Sequence, residues 1–73
     1  MFDVLFSYTD KTLNILCQDI ETIGQLSSEW KDYSGDEILE HRFNLRKEFY
    51  LTGNGSSYII SSTNLISVEI RQK

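Results

Sequence analysis

The chain has 73 residues, 40% hydrophobic and 25% charged, with one cysteine, no proline and a formal net charge of −4. This apolar and aromatic content excludes a disordered tail, and the length leaves room for a single domain over 1–73 and no second one. The lone Cys17 excludes an internal disulfide and a cysteine-rich zinc site.

A chain this short buries only about 60% of the surface that its unfolded form exposes, so its core is marginal. Cys17 reads as a small core residue in a reducing compartment. The opening MFDVLFSY has no basic leader, and no run of apolar residues is long enough to span a bilayer. A soluble, cytoplasmic protein with no membrane partner is expected.

In chain order, Phe2, Val4, Phe6 and Tyr8 alternate with Asp3, Leu5 and Ser7, a period of two that places the aromatics on one face of a first strand. Leu13, Ile15 and Cys17 repeat the pattern after a turn at Asp10-Lys11, giving an N-terminal hairpin. The period then changes: Ile20, Ile23, Leu26, Trp30 and Tyr33 fall three and four apart, which predicts one stripe of a helix. Asp19 suits its N-cap and Gly35 its stop, while Gly24 in the interior costs about 1 kcal/mol relative to alanine.

From Leu39 the two-residue period returns, with His41, Phe43 and Leu45 on one face and Glu40, Arg42, Asn44 and Arg46 on the other. Gly53-Asn54-Gly55 is the clearest turn, because Asn-Gly tolerates positive φ at both positions. A strand to Ser61, a second turn at Ser62-Thr63-Asn64 and a last strand with Ile66, Val68 and Ile70 inward complete the reading. The expected fold is α+β: five to six mainly antiparallel strands, made of an N-terminal hairpin and a C-terminal β-meander, with one helix packed on one face. Trp30 then belongs to the core, and Trp30→Ala should cost about 3–5 kcal/mol.

Little in the chain suggests catalysis. A phosphate loop at Gly53–Ser57 lacks the following helix that the anion would need, so a hairpin is the better reading. His41 with Asp36, Glu37 and Glu40 has no spacing of a known metal loop. Cys17 and His41 would need a pocket that so small a sheet rarely encloses. No enzyme activity, metal, cofactor or small-molecule substrate is expected.

Charge is unevenly spread. Residues 1–41 carry nine carboxylates against Lys11 and Lys31, whereas 42–73 carry five cations against Glu48 and Glu69. Two nucleic-acid readings follow: a basic sheet face of Arg42, Arg46, Arg71 and Lys73 that binds a strand, or an acidic surface of Glu21, Glu29, Asp32, Asp36, Glu37 and Glu40 that imitates one.

The favoured reading is a small protein-interaction module. Leu5, Leu16, Tyr50, Ile59 and Leu65 fall out of phase with the inward sets, and a face so apolar is either an interface to a protein partner or second copy, or is buried by closure into a barrel. A homodimer centred on residues 50–70 is expected, with Leu65→Asp disrupting association and sparing the core. Size and an Ile, Asn, Lys and Ser bias suit a regulator or inhibitor encoded by a bacterial genome, a phage or another mobile element.

Overall fold

The computed structural model describes residues 1–10, 12–26 and 28–73. Among them, β1 (Phe2–Tyr8), β2 (Asn14–Ile20), β3 (Thr22–Leu26), β4 (Trp30–Ser34), α1 (Asp36–Glu40), β5 (Phe49–Gly53), β6 (Ser56–Ile60) and β7 (Leu65–Gln72) follow in order. They form two antiparallel sheets, β2-β1-β7 and β4-β3-β5-β6. The mainly antiparallel architecture with one short helix therefore holds, as seven strands in two sheets rather than five or six in one.

The inner faces of the two sheets meet in a single core. β1 alternates as its period of two requires: Phe2, Val4, Phe6 and Tyr8 are buried, and Asp3, Leu5 and Ser7 are only half-buried on the outer side. Ile20, Ile23, Phe49 and Leu51 close over them, and the rings of Phe6 and Phe49 meet edge to face at 5.2 Å. The Tyr8 hydroxyl donates to the Ser61 carbonyl at 2.9 Å, so this aromatic is buried with its polar tip satisfied. The N-terminal hairpin forms as expected; Lys11, named in its expected turn, lies outside the described residues.

The described residues of 19–34 do not form the expected helix. β2 carries one extra residue against β1, since Val4 pairs with Cys17 but Phe2 with Ile20, and Asp19 takes a positive φ of 57° within this irregularity. The bulge reverses the parity of the strand and turns Ile20 inward. One residue, Glu21, then carries the chain from the first sheet into β3 of the second, where Ile23 again faces the core. The spacing of three between Ile20 and Ile23 thus arises from a bulge and a corner. Leu26 and Trp30 point away from the core, and Tyr33 pairs with Ile23 on the inner side. Ser27, also within the expected helix, lies outside the described residues.

The corner is held by β5. Glu21 donates its N–H to the Thr52 carbonyl at 2.8 Å, and the hydroxyls of Thr22 and Thr52 hydrogen-bond. Gly53 lies so close that a Cβ there would stand 2.8 Å from the Ile20 Cα, besides meeting the Asp19 carbonyl. Here the missing side chain is required by backbone approach.

The real helix begins only where the expected one was to stop, and it is much shorter. Gly35, expected to end a helix, precedes α1 with φ 57°, and Ile38 is the helix residue that enters the core. The predicted strand from Leu39 is also absent: after α1 the chain runs as an irregular segment over 41–48. Its alternation nevertheless survives, with His41, Phe43 and Leu45 half-buried and Arg42, Asn44 and Arg46 exposed. The Gly53–Ser56 hairpin forms with Asn54 and Gly55 both at positive φ, and Leu65 N–H to Ser62 O closes the second turn at 3.1 Å. β7 then crosses to the other sheet and pairs with β1.

Candidate protein-interaction face

The outer face of β4-β3-β5-β6 carries an apolar ridge. Leu26 pairs with Trp30 across β3 and β4, and Gly24, Tyr50 and Ile59 lie opposite one another across β3, β5 and β6. Trp30 leans across Gly24 to meet Tyr50 edge to face at 4.8 Å. A Cβ on Gly24 would lie 2.7 Å from the indole Cζ2 and would also meet Asp32 Oδ1, so the glycine is the notch that receives the ring. The Trp30 Nε1–H donates to Asp32 Oδ2 at 2.9 Å. The indole is thus held on both sides while remaining 45% exposed, beside Leu26 at 52% and Ile59 at 68%. A rigid tryptophan and tyrosine amid exposed aliphatic groups is the composition of a binding hot spot.

The five apolar positions singled out in the sequence do not form one face. Tyr50 and Ile59 belong to this ridge. Leu5 and Leu16 pair on the outer side of the other sheet, where with Asp3, Glu69 and Arg71 they line a concavity of about 260 Å³. Leu65 is half-buried and packs against the core, opposite Tyr8, because a register shift between Ser7 and Tyr8 turns it inward. Helical spacing places Trp30 and Leu26 in a core stripe, whereas in the sheet both lie on the outer face. The signal that would have found them is Gly24, a poor helix residue directly preceded by β-branched Thr22 and Ile23.

The charged groups are likewise redistributed. Asp36, Glu37 and Glu40 sit on α1, Asp32 beside Trp30, Glu21 at the corner and Glu29 just before β4. Without a long helix they do not form a continuous acidic row. On the basic side, Arg71 pairs with Glu69 in its own strand at 2.7 Å, and Lys73 reaches Asp19 at 2.8 Å and Asp3 at 3.5 Å. The hydrogen bond that Lys73 donates to Asp19 pushes the pKa of the Lys73 ammonium above its ordinary range. Arg42 and Arg46 lie in the 41–48 segment, so the four cations share no strand face.

A polar cleft of about 240 Å³ gathers a different basic set, Lys31, Arg42 and Lys47, beside Tyr33, His41 and Glu29. Its floor is built by the buried Gln25, whose Nε2–H donates to the Asn44 carbonyl at 2.7 Å while its Oε1 accepts the Asn44 N–H at 3.0 Å. One side chain thereby replaces a missing strand pairing and pins the 41–48 segment. The His41 ring stacks on Tyr33 at 3.9 Å, with Phe43 edge-on at 4.7 Å.

Among the described residues no three His, Cys, Asp or Glu side chains come together as metal ligands, and no helix is long and apolar enough to cross a membrane. Cys17 is buried in the core, and that burial pushes its thiol up, the direction opposite to what a nucleophile needs. Comparison with protein families, curated proteins and solved structures finds no match to this chain.

Proposed function

We propose that this chain is a small non-catalytic interaction module that docks on a protein partner through Leu26, Trp30, Tyr50 and Ile59. The observation that carries the reading is the fixed Trp30 ring, lodged over Gly24 and bonded to Asp32. An ordered aromatic has little rotamer freedom left to lose on binding. The partner chemistry that fits is an apolar pocket able to accept the indole and Ile59. Its size and composition suit a regulator or inhibitor encoded by a bacterial genome, a phage or another mobile element.

Quantitative affinity capture from extract of the source cell tests this, comparing the parent with Ile59→Asp. Ile59 is exposed at the sheet surface, so the variant keeps its fold, and a thermal melt verifies that. A protein retained by the parent and lost from the variant is expected. Equal retention by both, or none by the parent, refutes the reading.

A second reading rests on the convergence of Lys31, Arg42 and Lys47 beside the Tyr33–His41 stack, which offers cations for phosphates and an aromatic edge for a base. Titration with a labelled single-stranded oligonucleotide separates the two. Micromolar binding that weakens steeply with salt and is lost in Arg42→Ala favours the nucleic-acid reading.

A further inference from the structure

We infer that two copies of this chain pair through the free edge of β7, antiparallel and centred on Ile70, joining the two three-stranded sheets into one. This surface is separate from the Trp30 ridge. Among the described residues β7 pairs only with β1, so one of its edges has no strand beside it.

The backbone says which groups that edge offers. Lys73 donates its N–H to the Met1 carbonyl at 3.0 Å, next to the Phe2–Gln72 pair. Backbone groups alternate in direction along an antiparallel strand. Arg71, Glu69 and Ser67 therefore also face β1, whereas Gln72, Ile70 and Val68 turn their N–H and C=O groups outward.

The other edges are protected in ways that β7 is not. β2 is bulged at Asp19, and β4 and β6 have five residues each. β7 has eight residues and keeps an unshifted register with β1 from Ser67 to Gln72. On its core side Val68 and Ile70 are half-buried, whereas Ile66, expected to point inward, is exposed where the register shifts; the three line a groove of about 340 Å³ with Phe43 and Leu45, and with His41 and Arg42 at its rim. A long, regular, unguarded edge is a template for another strand.

Charge selects the partner and the register. Centred on Glu69, antiparallel self-pairing would oppose the two Glu69 carboxylates, which repel. Centred on Val68, it would set Arg71 against Leu65. Centred on Ile70, it uses the outward-facing groups of Val68, Ile70 and Gln72 as the hydrogen-bonded pairs. It then places Glu69 of each copy opposite Arg71 of the other, twice by symmetry. Those side chains are exposed, at 77% for Arg71 and 51% for Glu69, and they already form an ion pair within one strand. Ile70 meets Ile70 above the two grooves.

Sedimentation over a concentration series tests the pairing on the full chain. The parent is expected to dimerise. Glu69→Arg or Arg71→Glu alone should raise the dissociation constant at least about tenfold by opposing like charges across the edge, and the two together should restore it. Gln72→Pro removes an outward N–H but no bond to β1, so it should abolish the dimer while far-UV circular dichroism stays that of the parent. Ile59→Asp should leave the dimer unchanged. A parent that stays monomeric at high micromolar concentration overturns the inference, as does a double variant that fails to re-associate or a Gln72→Pro chain that dimerises like the parent.

Discussion

Gly24→Ala distinguishes a strand from a helix by the sign of its effect. In a helix interior the substitution would stabilise the chain by about 1 kcal/mol. In β3 the new methyl would stand 2.7 Å from the Trp30 indole and would also meet Asp32. Both neighbours are surface side chains that can swing away, so the loss is limited to what they give up. Separating Trp30 from Tyr50 forfeits about 0.5–1.5 kcal/mol of aromatic contact. Breaking the Trp30–Asp32 hydrogen bond forfeits about 1 kcal/mol more. Reduced freedom of the unfolded chain offsets about 0.4–1 kcal/mol of that. The net expectation is a loss of about 1 kcal/mol, or a melting temperature about 4–8 °C lower for a domain of this size. Because Trp30 is the only tryptophan, its fluorescence reports the displacement directly, with a red shift as the ring leaves Tyr50. A melt at or above that of the parent, with unchanged emission, would falsify the placement of Trp30 over Gly24.

Three further predictions concern the core and its pinned segment. Gln25→Ala should cost about 1–3 kcal/mol, because the two hydrogen bonds between the buried Gln25 amide and the Asn44 backbone are lost; hydrogen exchange at Asn44 should accelerate, and an unchanged rate counts against the pin. Leu65→Asp should lower stability by several kcal/mol, since a carboxylate is forced against the core beside Tyr8; a urea midpoint equal to that of the parent would return Leu65 to the surface. Tyr8 and Cys17, pushed up by burial, and Lys73, pushed up by Asp19, all hold protons more tightly when folded. The stability linked to each group is full below its own ordinary value, 9.0 for the thiol, 10.0 for the phenol and 10.5 for the ammonium, and is lost as pH rises through its raised folded value. Urea melts from pH 7 to 11 should therefore show a midpoint that falls in the alkaline range, and Cys17 should react with a thiol reagent at pH 8 only in denaturant.

Features that depend only on neighbours along the chain were legible from the residues alone. β1 was legible because seven residues alternate without interruption, and the Gly53–Ser56 hairpin because Asn54 and Gly55 accept the positive φ of the turn. The inward set of His41, Phe43 and Leu45 was also legible, even though no ladder forms there. Three-dimensional packing was needed to fix the places where the backbone breaks its own period. The bulge at Asp19 and the one-residue corner at Glu21 gave Ile20 and Ile23 a helical spacing within two strands. The shift at Tyr8 sent Leu65 inward. Periodicity assigns faces only while each residue advances the chain by one regular step, and a single extra residue exchanges inside for outside from there on. The Trp30 ridge and the Gln25 pin were invisible for a related reason. Gly24 under the indole, and Asn44 under the amide, become neighbours only after β3 has been laid between β4 and β5, and that order is set by which surfaces can close on the core.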